Sequence, residues 1–330
     1  MKVTVIGSGS WGTALAQVLA DNLHDVTIWG KDLDEVVDIH MYHQNEKYFP
    51  GVHINEDVKA TNDLSLVADA EMVILAVPTA AIEDVCLLIN RHYTRKVLVV
   101  SVAKGFHPVT HKRLSVVIRE TVKPEILDDV VSLIGPSHAE EVVLRLLTTI
   151  NAVCENEESS IRVQHAFSNN YFRVYRNTDV IGAETGVAIK NIIAIASGIL
   201  SGLGLGDNAR AALMTRGLAE MSRYGIYFGA KPETYLGLTG VGDLIVTCTS
   251  VHSRNFQAGL MIGKSDSAKP FWENNTKTVE GVKAAKVIFE EAHKLDISMP
   301  ITEQVYKVLY ENAIPSQSIL ELMKRELKAE

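Results

Sequence analysis

The chain has 330 residues, 47% of them hydrophobic, and a formal net charge of −8. That length leaves room for two domains with substantial cores, and the acidic balance argues against nucleic acid or an anionic membrane surface as a partner. Cys86, Cys154 and Cys248 are unclustered and show neither a disulfide frame nor zinc spacing, which points to a reduced, cytoplasmic setting. The N-terminus runs straight into a strand with no secretory pattern, and no apolar run reads as long enough to span a bilayer.

Val3, Val5 and Ile6 form a short apolar strand that enters Gly7-Ser-Gly9-Ser10-Trp11-Gly12 and then an amphipathic helix over residues 13–19. Strand, G-x-G-x-x-G turn and helix in that order are the fingerprint of dinucleotide binding. The first glycine permits the tight turn, the second lets backbone approach a pyrophosphate, and the third lets helix and strand pack closely. The N–H groups that open the helix would face that pyrophosphate. Residues 26–29 read as a second strand and 34–43 as a helix; strands follow at 71–77 and 96–102, separated by a helix at 81–91. Three more strands are predicted at 130–134, 149–154 and 171–175, with helices at 139–144 and 161–167. This alternation predicts an α/β fold, a Rossmann-type doubly wound parallel sheet. Beyond Asp179 the spacing turns helical, over 184–205, 210–228, 280–295, 301–311 and 316–328, while 266–277 reads as a polar surface loop. The expected division is an NAD(P)-binding domain, residues 1–178, and an all-helical substrate-binding and catalytic domain, residues 179–330.

Several positions invite chemistry. The second strand ends in Gly30-Lys31-Asp32, and a small residue followed by a cation suits a 2′-phosphate better than a bare ribose. The reading favours NADP(H) over NAD(H), with Asp32 as the opposing charge and an exposed lysine at a helix start as the plain alternative for Lys31. Pro78 ends a strand, and Thr79 is placed to cap the next helix. Lys104-Gly105 follows another strand at the ligand edge. In Gly135-Pro-Ser137-His-Ala139 the serine reads as a helix N-cap, or as part of a close approach to a ligand. Lys190 interrupts an apolar helix, and cationic neighbours there would lower its pKa and make it a proton acceptor. Asp243 sits in a glycine-rich turn, and Ser253-Arg254-Asn255 places a cap, a forked cation and an amide at a helix start suited to phosphate.

Taken in order, these segments resemble the bacterial NAD(P)-dependent glycerol-3-phosphate dehydrogenases. The resemblance runs through Gly7-x-Gly9-x-Trp11-Gly12, His43-Gln-Asn45-Glu-Lys-Tyr48-Phe-Pro50-Gly51, Ala103-Lys104-Gly105, Gly135-Pro-Ser137-His-Ala139, Lys190-Asn191, residues 206–217, Gly240-Val-Gly242-Asp243, Ser253-Arg254-Asn255 and Val279-Glu280-Gly281. It implies reversible reduction of dihydroxyacetone phosphate to sn-glycerol 3-phosphate for phospholipid synthesis, in a cytoplasmic homodimer. Lys190 takes the place of the proton-transfer residue, and Lys104 of a group shared by cofactor and substrate. Gly135, Ser137, Asp243, Ser253, Arg254 and Asn255 match substrate contacts, and Arg254 also matches a cofactor contact. Ser10, Trp11, Lys31, Ala139, Thr278 and Glu280 match cofactor positions. Lys31 stands where relatives often carry arginine, and Phe106 where an aliphatic residue is usual. The competing readings are another two-domain dehydrogenase of the 3-hydroxyacid or 6-phosphogluconate type, and a catalytically silent NAD(P)H-sensing protein.

Other features read as structural. His40 and His43 lack a third metal ligand, so no metal is expected. Cys248 reads as a small buried residue, and Glu140-Glu141 as first-turn helix acids. Gly198, Gly202, Gly204 and Gly206 suit close helix packing and a turn, and residues 321–330 suit a solvated helix face.

Overall fold

The computed structural model describes residues 1–327, and its contacts divide the chain into two units, Met1–Val180 and Ile181–Glu330. The last part of the expected C-terminal helix and its solvated face, residues 328–330, lies outside the described residues.

In the first unit the strands β1 (Lys2–Ile6), β2 (Asp25–Trp29), β3 (Lys59–Thr61), β4 (Met72–Leu75), β5 (Val97–Ser101), β6 (Leu127–Ile134), β7 (Thr148–Val153) and β8 (Phe172–Asn177) form one sheet. The helices are α1 (Ser10–Asp21), α2 (Leu33–Tyr42), α3 (Ile82–His92), α4 (Leu114–Thr121), α5 (Ala139–Val142) and α6 (Glu157–Phe167). Strand order is β3-β2-β1-β4-β5-β6-β7-β8, so the winding reverses between β1 and β4. Ligands of such sheets bind outside the carboxyl ends of the strands at that reversal. Every neighbouring pair is parallel except β6 and β7, which run antiparallel. The wholly parallel expectation is corrected there: the connection holds only the four-residue α5, so the chain doubles back instead of crossing the sheet.

Both faces of the sheet are buried, which is why its central strands are apolar runs without a polar alternate. Met72 and Ile74 join the layer containing Leu15, Val18 and Phe167, while Val73 and Leu75 join the layer containing Ile82, Ile89 and Ile118. Sequence reading missed the three-residue edge strand β3 and the helix α4.

The second unit is helical: α7 (Val180–Gly202), α8 (Gly206–Tyr227), α9 (Pro232–Tyr235), α10 (Asp243–Thr249), α11 (Arg254–Ser265), α12 (Lys269–Asn274), α13 (Glu280–Lys294), α14 (Pro300–Tyr310) and α15 (Pro315–Met323). Two expectations change. Over the stretch expected to be a surface loop, α12 buries Phe271, and Trp272 Nε1 donates to the Leu309 carbonyl at 2.9 Å. Contrary to the reading that no run could span a bilayer, α7 is long and apolar enough by length and composition. It is nonetheless a core helix, since 83% of its apolar window is buried inside the protein.

Glycine sets the spacing of α7 and α11. A Cβ on Gly198 would stand 2.1 Å from the Phe256 carbonyl oxygen, and one on Gly259 would stand 2.0 Å from that of Ile195. Gly202 and Gly263 repeat the contact farther along, whereas Gly204 and Gly206 adopt φ of +72° and +78° in the turn to α8.

A buried carboxylate ties α8 to α14. Glu220 accepts from Ile301 N at 2.6 Å and from Thr302 N and Oγ1 at 3.2 Å. Burial nevertheless pushes its carboxyl up to about 7 from 4.5. Between those values the folded protein holds a proton that the unfolded chain has released, so stability falls as pH rises, by roughly 3 kcal/mol. Glu220→Gln is expected to flatten that part of the profile. Thermal melts between about pH 5 and pH 8 check it, and an unchanged slope in the variant would assign the dependence elsewhere.

Candidate active site

In the first unit the glycine-rich turn closes as its sequence requires. Gly7 has φ +121°, and a Cβ there would fall 2.3 Å from the Ala76 carbonyl oxygen, so only glycine fits between β1 and the end of β4. A Cβ on Gly12 would fall 1.9 Å from the Gly7 carbonyl oxygen. Gly9 is the N-cap of α1 and supplies no side chain to its first N–H groups. An open backbone donor set at the positive end of a helix fits a pyrophosphate.

Trp11 on α1 and Lys104 beyond β5 meet at this edge, with Lys104 Nζ 5.9 Å from the indole centroid. Gly105 beside it has φ +130°. At the end of β6, Ser137 Oγ donates to the Gly135 carbonyl at 3.0 Å. The N-cap of α5 is His138, so the reading of Ser137 as that cap is corrected; so is that of Thr79, because Ala81 is the N-cap of α3 and has no side-chain bond. Ser137 and Ala139 are buried, Ser10 is half-buried, and Lys31 is exposed beside Asp32, the N-cap of α2.

In the second unit Lys190 and Asp243 are 1% and 0% exposed, and Lys190 Nζ lies 2.5 Å from Asp243 Oδ1. Lys190 also donates to Thr247 Oγ1 at 3.0 Å, and that hydroxyl donates to the Asp243 carbonyl at 2.6 Å. Sequence reading expected cationic neighbours to strip Lys190 of its charge. The charged group that folding sets beside it is instead the carboxylate of Asp243, and removing one member of such a buried pair would cost several kcal/mol.

The second unit also gathers polar groups at the start of α11. Ser253 Oγ accepts from Phe256 N at 3.2 Å and opens α11. Arg254 donates to Glu280 Oε1 at 3.0 Å while half of its side chain stays exposed. Asn255 donates to Asn191 Oδ1 at 3.0 Å and accepts from Gly281 N at 2.9 Å, joining α7, α11 and α13. The buried Asn191 Nδ2 has no hydrogen-bond partner among the described residues, which suits a ligand acceptor. Thr278 is exposed just before α13.

Thr247 and Asn191 were not singled out from the sequence as site residues. Asn191 was quoted only as the neighbour of Lys190, and Thr247 carried no signal until α10 placed it beside α7. Burial pushes the Cys248 thiol up to about 12, which leaves it inert at neutral pH.

Models of the N-terminus and C-terminus of NAD-dependent glycerol-3-phosphate dehydrogenase match residues 2–160 and 179–320. The chain is 49% identical to glycerol-3-phosphate dehydrogenase (NAD(P)+) of Enterococcus faecalis over 330 residues, covering 100% of this chain and 97% of that protein. It is 49% identical to the enzyme of that name from Listeria monocytogenes over 331 residues, covering 100% and 98%. A crystal structure of glycerol-3-phosphate dehydrogenase from Coxiella burnetii superposes with a TM-score of 0.91 at 35% identity, covering 98% of this chain and 99% of that one. With matches spanning both units, the chain belongs to the family of NAD(P)-dependent glycerol-3-phosphate dehydrogenases, which are oxidoreductases.

Proposed function

We propose that the protein reduces dihydroxyacetone phosphate to sn-glycerol 3-phosphate, reversibly. The observation that carries this is the buried Lys190–Asp243–Thr247 cluster, which fixes the ammonium-bearing end of a lysine inside the second unit. Residues 1–178 bind the dinucleotide on the glycine-rich turn, with Gly7, Gly9, Ser10, Trp11, Gly12, Lys31 and Ala139 as its contacts. Residues 179–330 bind the substrate, and within them Arg254, Thr278 and Glu280 are the candidate cofactor contacts. The bound nicotinamide supplies the hydride to C2 in reduction.

Lys190 gives a proton to the C2 oxygen as the hydride arrives, and takes it back in oxidation. Asp243 holds the lysine in place and balances its charge while it carries the proton. Lys104 polarises the carbonyl oxygen, as a cation does where negative charge develops. Ser253, Arg254 and Asn255 grip the phosphate, while Gly135 and Ser137 complete the contacts to the substrate. Folded protein incubated with NADPH and dihydroxyacetone phosphate is expected to oxidise the cofactor, and other oxo acids are not expected to replace the substrate. Absence of oxidation would end this reading and favour a silent sensor; turnover of an oxo acid instead would favour another dehydrogenase class.

The cofactor is read as NADP(H) ahead of NAD(H), on the strength of Lys31. Lys31→Ala is expected to weaken NADPH by roughly 5- to 30-fold and to spare NADH. Equal losses would mean that Lys31 does not face a 2′-phosphate. Three buried thiols fit a reducing cytoplasm, where the product would serve glycerophospholipid synthesis. Exposed Ile226, Tyr227 and Leu236 fit burial in a homodimer, which sedimentation velocity would detect.

A further inference from the structure

At the end of β2, where NAD-binding folds place a carboxylate about 20 residues beyond the glycine-rich turn, this chain has Gly30. A Cβ there would lie 2.5 Å from Ser8 Oγ, so no side chain fits. The carboxylate comes instead from α2. Glu35, 7% exposed, accepts from Ser8 Oγ at 2.5 Å with one oxygen and from Lys47 Nζ at 2.6 Å with the other. Lys47 also donates to Asp32 Oδ2 at 3.1 Å, so one lysine bridges both acids and offsets one of their two negative charges, and with Lys31 the four groups balance.

The segment that carries Lys47 is braced on the glycine-rich turn itself. The fully buried Asn45 donates to the Ser8 carbonyl and to Thr13 Oγ1, both at 2.8 Å. The tip of the Tyr48 ring lies 4.0 Å from where a Gly9 Cβ would stand. Between these two anchors Lys47 remains more than half exposed. Packing does not require an exposed cation at that point. Electrostatics does, because Glu35 and Asp32 unscreened would outweigh Lys31 and repel a phosphate.

We propose that Lys47 is the specificity-determining residue for the adenosine 2′ position: by bridging Glu35 and Asp32 and, together with Lys31, balancing their charge, it lets this edge of the sheet accept a 2′-phosphate, while Glu35 is the acceptor for a bare 2′-hydroxyl. The proposal rests on the reading that a dinucleotide lies on the glycine-rich turn. It accounts for a site able to take both cofactors, since the same pair carries a cation for one and a carboxylate for the other.

The test is binding to the full chain, by calorimetry with adenosine 2′,5′-bisphosphate and with AMP, and by fluorescence with NADPH and NADH. Lys47→Ala is expected to weaken NADPH and the bisphosphate about tenfold or more and to leave NADH and AMP nearly unchanged, with the difference shrinking at high salt. Lys47→Arg keeps the charge and is expected to keep the preference. Glu35→Gln is expected to weaken NADH relative to NADPH. Equal losses for both cofactors in Lys47→Ala would show a brace for the turn and overturn the proposal, as would no loss at all. Wild-type protein that binds neither cofactor would fail the dinucleotide reading itself and this proposal with it. Selective loss in Lys31→Ala alone would keep that reading and reject the role of Lys47.

Discussion

Lys190→Ala is expected to lower kcat by about 10²- to 10⁴-fold, the usual contribution of a positioned proton donor, while NADPH affinity stays unchanged. The substitution also strands Asp243, which is 0% exposed, without its partner. Removing one member of a buried ion pair costs about 3–5 kcal/mol, so the single variant is expected to melt earlier as well. Lys190→Ala with Asp243→Asn separates the two effects. The double variant removes the uncompensated charge and is expected to recover much of the stability but none of the turnover. Steady-state kinetics and thermal melts on both variants check this. A folded Lys190→Ala protein with near-normal kcat would reject Lys190 as the proton donor.

Gly259→Ala is expected to reverse the usual sign of a glycine-to-alanine change in a helix, which ordinarily stabilises by about 0.5–1 kcal/mol. Its Cβ would meet the Ile195 carbonyl oxygen at 2.0 Å, a rigid backbone atom that cannot rotate away. The helices must separate, at about 2–3 kcal/mol for overpacking, and Tm is expected to drop by roughly 5–10 °C. Separation also moves Ser253, Arg254 and Asn255 on α11 away from Lys190 and Asn191 on α7. A displacement of about 1 Å can cost about 100-fold in rate, so activity is expected to fall more than stability alone explains. Gly204→Ala is the control: nothing lies within 4 Å of its Cβ, and it bears only the strain of a positive φ. Equal melting temperatures for Gly259→Ala and the parent would show that the helices yield without strain.

The parts of the site that were legible in the sequence are those built from neighbouring residues. Ser253-Arg254-Asn255 is one helix start, and the cap observed on Phe256 N is local chemistry. The corner it belongs to was not legible, because Asn255 is held by Asn191, 64 positions away. Likewise β7 was found but its direction was not. Strand propensity says nothing about orientation, which the short α5 connection decides. The apolar spacing of α12 was hidden by its lysine, proline and asparagine, and only Phe271 is buried, while Trp272 stays exposed and anchors through its indole N–H to Leu309.

By itself the amino-acid sequence made the dinucleotide turn legible, because a strand, the Gly7-x-Gly9-x-x-Gly12 spacing and a helix follow one another within a few residues, although the clash that requires glycine at position 7 comes from Ala76 at the end of β4. It also determined the alternation of strands and helices that makes a wound sheet. Tertiary structure alone decided the partners of Lys190. Sequence reading surrounded Lys190 with cations and, through the resemblance, put Asp243 in the same site without pairing the two; folding brings Asp243 to 2.5 Å and Thr247 from 57 positions along the chain. Which charge stands beside a buried lysine is a product of packing, because a charge removed from water is costly unless a partner from elsewhere in the chain meets it.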